Sequence, residues 1–430
     1  MNRTDRRSWP AERTETTGFL ILQSTFLADG LAAAIAMLTA PLAADLAVCI
    51  AGGLRRRQAT SAAKVWEVRL AVVVPAHNEE AVIARALASL RAAVCTRLTA
   101  IPASGSQLQP WQVPVIVVAH NCTDGTAAIA NQAGARVVEL KGTGLRGKGA
   151  ALRAGFDAAQ AAGANAFLVV DADSHASQNL IAATAATLER GAAATQCRYE
   201  LELPNSRPAS ARERLRVLAF RAINVLRARG RSRLGFSAGA FGNGFAVAAG
   251  TLETVPYAVD TICEDLEYHT RLVAAGLRVA WVGEAQVLGP LAPTRSAQAA
   301  QEARWEGGRF HVAARATGRL LKAIFHGNWR AFEMLAEVWS LPISLALLAL
   351  VLAACLPVHW LHVFALVTAG LILIHVLQAV ALGGEPWRDF AALASAPLHF
   401  FWKMTIIPLV LRHSRAGARW ARTEREVQAP

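Results

Sequence analysis

The chain reads as an α/β protein, a parallel or mixed sheet covered by helices on both faces, with membrane-length apolar segments before and after it. Three observations predict this. Between residues 66 and 296, short apolar runs bounded by polar residues, such as Val68–Pro75 and Phe167–Val170, alternate with stretches of helical periodicity. Apolar stretches long enough to cross a ~30 Å bilayer core flank that region at residues 27–53 and 338–382. The composition agrees: 54% of the residues are hydrophobic and only 17% charged, which is apolar-rich for a soluble protein.

The elements follow in order. Residues 1–26 form a mostly polar tail, and 27–53 a transmembrane helix with Asp29 and Asp45 near its ends. Arg55-Arg56-Arg57 come next and orient the downstream region toward the cytoplasm. Strands are expected at Val68–Pro75, Val113–Val118, Arg136–Leu140, Phe167–Val170 and Ala194–Leu203. Helices are expected at Ala81–Ala93, Thr126–Gly134, Ala150–Ala161, Ser177–Arg190 and Ala209–Arg229. Residues 297–335 read as amphipathic interfacial helices rich in Arg, Trp and Phe. A transmembrane hairpin spans 338–382, split by Pro357-Val358-His359-Trp360. At 390–411 Lys403 interrupts the apolar stretch and predicts an interfacial or re-entrant segment, followed by a basic cytoplasmic tail at 412–430.

The net charge of +13 points to anionic lipid or a phosphorylated substrate. No zinc-finger spacing, basic helix with heptads or aromatic RNA-binding motif accompanies it, so no nucleic-acid partner is expected. Six scattered cysteines without a C-x-x-C pair argue against disulfide or zinc scaffolding and for a reducing, cytosol-facing domain.

The chemistry gathers where strands end. In such sheets ligands sit beyond the carboxyl ends of the strands. Asp171 and Asp173 follow the fourth strand, and two carboxylates there suit a hard divalent cation shared with substrate phosphates; alone, the pair also reads as an Asp-rich turn capping the next helix. Pro75 ends the first strand and His77, Asn78 and Glu79 follow it, where a helix N-terminus favours anions. His120 and Asp124 bracket a turn after the second. Lys148, between Gly147 and Gly149, can neutralise a diphosphate, although the Walker spacing is missing. Glu264 and Asp265 are candidate bases for a hydroxyl. Gln301, Arg304 and Trp305 share one helix face, offering a guanidinium for phosphate and a flat ring for a sugar.

Taken together these residues resemble a family 2 glycosyltransferase with the GT-A fold, in the membrane-bound group of cellulose, chitin and hyaluronan synthases. Asp171-Ala172-Asp173, Glu264-Asp265 and Gln301-x-x-Arg304-Trp305 match its D-x-D, E/T-D and Q-x-x-R-W motifs in order. The resemblance implies a Rossmann-like mixed sheet and a nucleotide-sugar donor, with uridine as the expected base. It places Pro75–Glu79 near base and ribose, Lys148 near the diphosphate and Asp171 on ribose or metal. Asp173 would hold Mg2+ or Mn2+, and Asp265, beside Glu264, would be the general base. Gln301, Arg304 and Trp305 would close over diphosphate and acceptor. Gly242, Asn243 and Gly244 resemble the glycine turn lining the donor and acceptor pocket.

Two positions depart from the pattern. His120 stands where relatives have a base-contacting Asp, and Cys263 where Thr usually precedes Glu-Asp. One base without an opposing nucleophile implies single displacement with inversion. The short membrane complement favours transfer to a lipid or short saccharide over polymer export. The alternatives are a sugar-phosphate nucleotidyltransferase or a non-catalytic nucleotide-binding membrane subunit.

Overall fold

The computed structural model describes residues 11–54, 67–99, 113–142 and 147–414. Arg55–Arg57, Arg146 and the tail beyond residue 414 lie outside the described residues. The elements in chain order are α1 (Ala11–Leu54), β1 (Leu70–Ala76), α2 (Ile83–Thr99), β2 (Val115–His120), α3 (Thr126–Gln132), β3 (Arg136–Leu140) and α4 (Gly147–Ala161). There follow β4 (Ala166–Val169), β5 (His175–Ala176), α5 (Leu180–Glu189), β6 (Ala194–Glu202) and α6 (Ala211–Arg221). A π-helical turn, Ala222–Arg227, joins α6 to α7 (Ala228–Arg233). Then come β7 (Phe245–Ala248), α8 (Ala249–Thr254), α9 (Glu264–Ala274), β8 (Val279–Pro290) and α10 (Arg295–Phe325). The last are α11 (Arg330–Trp339), α12 (Ile343–Ala354), α13 (His359–Ala381), α14 (Pro386–Ala392) and α15 (Ala396–His413).

Eight strands form one mixed sheet in the order β3-β2-β1-β4-β7-β6-β8-β5. β3, β2, β1 and β4 are parallel, while β7 runs antiparallel to both β4 and β6. The chain reverses its direction of travel across the sheet at β1, whose neighbours are β2 and β4. Crevices at such a point, outside the strand carboxyl ends, are where ligands bind in open α/β sheets. The pleat separates two cores. Val72, Val74, Val115, Val117 and Leu168 pack under α2 and α5, with Leu87, Leu90 and Ile181. Val73, Ile116, Val118, Phe167 and Val169 pack under α4 and α9, with Phe156, Tyr268 and Leu272. The period of two, buried on both faces, is why these strands appear as continuous apolar runs.

The flanking helices depart from expectation in three places. α1 begins at Ala11, so residues 11–26 are helical where a loose polar tail was expected; their Ala, Glu, Thr and Leu content is compatible with a helix. The span expected from residue 338 is broken at Ser340–Pro342, and α11 and α12 meet there at 79°. Pro342 has no N–H to continue the ladder, and α12, with 12 residues, is about 18 Å long. At the C-terminus, Pro386–His413 is long and apolar enough to cross a membrane, as are Phe26–Leu54 and His359–Ala381. Lys403, the reason for expecting an interfacial segment there, pairs with Glu302 at 2.6 Å and with Glu306 of α10.

α1 is joined to the sheet domain by a close crossing and by buried charge. A Cβ on Gly52 would overlap the Gly230 carbonyl, and one on Gly230 would overlap Cys49. Asp45 forms ion pairs with Arg227 and Arg231 at 2.5 Å each, and Arg231 also reaches Glu333 at 2.7 Å and Glu337 at 2.6 Å. Asp45 is 1% exposed. Removing one partner of such a pair leaves its neighbours buried and uncompensated. Asp45→Asn is therefore expected to cost about 3–5 kcal/mol of stability, read as a lowered unfolding midpoint of the full chain in detergent; an unchanged midpoint would contradict the account.

Candidate active site

The parallel strands β1, β2 and β4 open at one edge, and the site is assembled there. Each of the first two loops carries, within two residues of its strand, an asparagine in the left-handed region, Asn78 at φ 54° and Asn121 at φ 50°. This is sparsely populated backbone, tolerated by Asn and found at functional rims. The loops brace each other. The Asn78 side chain accepts from Thr123 N at 2.7 Å and donates to Thr123 Oγ1 at 3.2 Å. Glu79 N donates to Thr126 Oγ1 at 2.8 Å, and Gly125 N to Glu80 Oε2 at 2.8 Å. His77 Nδ1 donates to the His120 carbonyl at 2.7 Å.

Asp124 Oδ2 accepts from Glu80 N at 3.2 Å, while Oδ1 accepts from Thr126 N at 3.1 Å and Thr126 Oγ1 at 2.5 Å. Partial burial works to raise its pKa, but these donors hold the carboxyl below its usual range. Asp124 thus shapes the loop from both of its oxygens. β2 runs on to His120, two residues past the expected strand end, and His120 is 9% exposed, so a buried imidazole occupies the strand end. Pro75 lies within β1, next to Val118 across the ladder.

Asp171 and Asp173 emerge beyond β4. Ser174 N donates to Asp171 O at 3.1 Å, closing the turn, and Ser174 Oγ donates to Asp173 Oδ1 at 3.3 Å. The glycine turn beside it is anchored by a side-chain amide. Asn243 Oδ1 accepts from Asp171 N at 3.2 Å, and Asn243 Nδ2 donates to Ser174 Oγ at 2.8 Å. Gly242 and Gly244 take φ of 69° and 68°, a conformation open to glycine at no steric cost.

Lys148, at the start of α4, connects this turn to the carboxylates. Its Nζ donates to Gly242 O at 2.7 Å and lies 2.5 Å from Asp171 Oδ1. Burial pulls the ammonium pKa down, but Asp171, Glu264 and Asp265 together hold it above the usual lysine value. A Cβ on Gly242 would lie 3.2 Å from Asp265 Oδ2 and 3.3 Å from Lys148 Nζ, so turn, base candidate and cation share one small volume. Burial first, then the charge of Asp265, pushes Glu264 up to about 7 against the pull of Lys148. Asp265 is raised as well, chiefly by burial.

α10 carries Gln301, Arg304 and Trp305 past α6 and past Cys263, the residue before Glu264. Gln301 accepts from Arg216 of α6, and Trp305 packs on Phe220 with ring centroids 5.9 Å apart. The helix approaches closely because Gly308 faces Cys263, where a Cβ would overlap the sulfur. Cys263 is buried against α10, with Sγ 3.7 Å from the Arg304 carbonyl. Its smaller, less polar group in place of Thr suits that contact.

Several residues that shape the site were not expected from the sequence. Gln196 is fully buried, donates to Asn243 O at 2.7 Å and accepts from Phe241 N at 2.9 Å. A glutamine at a buried position of a strand offers only a weak signal, since buried amides hydrogen-bond. Arg216, Thr126 and Gly308 gave no comparable signal, because their partners are remote in sequence.

Among the described residues no group of three or more His, Cys, Asp or Glu stands ready for a metal. Asp171 and Asp173 fit a hard ion that takes its other ligands from phosphate oxygens and water. Gln196→Met should leave Phe241 N and Asn243 O unpaired, at a cost of about 1–3 kcal/mol. A variant with a lowered melting midpoint and weakened donor binding is expected; wild-type values for both would refute this role for the amide.

Comparison with known proteins accords with this geometry. Glycosyl transferase family 2 matches residues 71–246, and glycosyl transferase family group 2 matches residues 166–383. No curated protein matches the sequence. Among solved structures, the mannosyltransferase PcManGT from Pyrobaculum calidifontis, in complex with GDP-Man and Mn2+, is similar with a TM-score of 0.51 at 18% identity. The alignment covers 87% of this chain and 99% of that one. S. aureus TarS 1–349 in complex with UDP-GlcNAc gives a TM-score of 0.44 at 13% identity, over 80% of this chain and 90% of that one. The PcManGT likeness bears on the fold, the family matches on membership: the chain belongs to the family 2 glycosyltransferases and carries their GT-A fold.

Proposed function

We propose that this protein is a membrane-anchored, inverting glycosyltransferase that moves a sugar from a nucleotide diphosphate, with UDP as the expected carrier, to a lipid or short saccharide acceptor. The observation that carries the reading is the convergence of Lys148, Asp171, Gly242 and Asp265 at the mouth of the β1/β4 crevice. The solved neighbour in complex with GDP-Man and Mn2+ supports a nucleotide-sugar donor and a divalent ion. Asp173, with Asp171, would hold Mg2+ or Mn2+. That ion supplies Lewis-acid stabilisation of the diphosphate when bound.

The chain's own groups account for the rest of the step. The acceptor hydroxyl loses its proton to Asp265 as its oxygen bonds to the anomeric carbon. The bond from that carbon to the diphosphate oxygen breaks, and Lys148 and Arg304 offset the departing negative charge. Single displacement makes an α-linked donor yield a β-linked product. Trp305 offers an apolar ring beside the acceptor path, and the loops at His77–Glu79 and His120 flank the base and ribose.

Anchoring rests on α1, α13 and the Pro386–His413 stretch, which expose large apolar side chains; Leu366 is 73% exposed and Leu398 73%. Such faces need lipid or another apolar cover. The free thiols of Cys49, Cys122, Cys197 and Cys263 accord with a catalytic domain on the cytoplasmic side of the cell membrane.

Asp265→Asn should lower turnover about 10²- to 10⁴-fold while nucleotide binding persists. Normal turnover in that variant, or an α linkage in the product by NMR, would refute the mechanism. The active form needs an ionised carboxylate pair whose pKa values are raised, Glu264 to about 7. Turnover should therefore fall as pH drops through that value. Lys148→Met, by removing the cation that favours ionisation, should move this limb to higher pH; a limb that stays in place would separate Lys148 from the base. Chelation of divalent ions should abolish transfer, with Mg2+ or Mn2+ restoring it.

A further inference from the structure

A small cavity of about 50 Å3 lies between α9 and α10, on the side of α9 away from Asp265. It is lined by Thr261, Glu267, Thr270, Arg271, Arg315 and Arg319, with Val312 and Ala316. Two of its lining residues carry buried polar atoms with no hydrogen-bond partner among the described residues, Thr261 Oγ1 and Arg271 Nε. Buried polar atoms are ordinarily satisfied, so each orphan calls for a partner. Both are donors.

Three guanidinium groups meet two carboxylates here. Arg271 pairs with Glu267 at 2.6 Å and Arg315 with Asp260 at 2.9 Å, while Arg319 has no ion pair among the described residues. Burial, then the nearby Arg271, depresses the pKa of Arg319, so its charge is undercompensated. The cavity thus offers an excess positive charge, a hydroxyl and an unused N–H, a donor set matched to an oxyanion.

We propose that this cavity is a binding site for a phosphate-class oxyanion, remote from the donor crevice, whose occupancy steadies the turn that carries the Glu264-Asp265 pair. Glu267 Oε2 accepts from Asp260 N and Thr261 N at 3.2 Å each and so holds that turn from below. An anion on Thr261 and Arg271 bears on the same turn through its hydroxyl and through the partner of Glu267. The surroundings favour the headgroup of an anionic lipid as the source. Phe325 lies six residues, about 9 Å, beyond Arg319 along α10, and Phe325, Phe332 and Trp329 are 86%, 65% and 57% exposed.

The test uses the full-length protein in detergent, alongside Arg315→Gln/Arg319→Gln, in which both changed side chains are exposed. Inorganic phosphate at about 10 mM should raise the melting midpoint of the wild type by about 2 °C or more and leave the double variant unmoved. Flotation with phosphatidic acid vesicles, against phosphatidylcholine vesicles, reads the lipid source; the wild type should bind the acidic vesicles more than the double variant does. Arg315→Lys/Arg319→Lys, which keeps charge and loses the planar fork, should give an intermediate response. A wild type indifferent to both phosphate and acidic vesicles, or a double variant that responds like the wild type, would overturn the proposal. A response to phosphate without one to vesicles supports the site and assigns it to a soluble oxyanion.

Discussion

The crevice depends on one cation. Asp171, Asp173, Glu264 and Asp265 lie on two segments that the topology brings to the same edge, and like charges gathered in a half-buried site oppose their own ionisation. Lys148 is the group that makes the gathering tolerable. It reaches Asp171 and the Gly242 carbonyl directly, and its field favours the ionised form of Glu264 and Asp265. Its place at the start of α4 follows from Gly147 at φ 76° and from Gly149, whose Cα side packs on Val259 and Glu264. The glycines around the lysine thus permit the close approach of α4 to the base turn that puts the ammonium within range.

Around that cation the scaffold is held by amides more than by charge. Gln196 and Asn243, both fully buried, tie β6, the glycine turn and the D-x-D loop together. Amides suit this task because each supplies donor and acceptor in fixed geometry without adding charge to the crevice. Asp124 makes the complementary point. An acidic residue in a strand-end loop invites a ligand-binding reading, yet its oxygens are committed to Glu80 and Thr126. The acids that converge on the crevice are those whose neighbours include Lys148.

How much of this was legible in the sequence follows from range. The strands were legible because burial on both faces makes each an apolar run, and β3 matched at both ends; other ends moved by a few residues, as in β2, where extended backbone continues to His120. The D-x-D, Glu-Asp and Q-x-x-R-W clusters were legible because each is local. What escaped was set by contacts between distant segments. The helix expected at 209–229 runs to Arg233 through a π-helical turn, and its arginines are buried against Asp45, Glu200, Glu333 and Asp389. A basic, surface-like pattern therefore conceals a helix enclosed by acids from four other elements. Ser340–Pro342 escaped for a different reason: hydropathy averages over a window and passes through a proline that geometry does not.

The membrane-length helices bear directly on those that carry the candidate site residues. Gly307 and Gly308 sit at adjacent positions of α10; the first faces Val410 and His413 of α15, the second Cys263 beside Glu264. One thin stretch of helix is therefore pressed between the C-terminal apolar segment and the base turn, just after Gln301, Arg304 and Trp305. Glu302 and Glu306, on the α15 side, pair with Lys403 and fix the register of that contact. Interiors packed this closely transmit displacement because neighbours have no free volume to absorb it. A shift of α15 along α10 would have to break the Lys403 pairs or move the Q-x-x-R-W face relative to Asp265. The apolar C-terminus is thus part of the framework that sets the distance between the Gln301–Trp305 face of α10 and the Glu264-Asp265 turn, and the packing of the apolar helices and the geometry of the crevice are one structural problem in this chain.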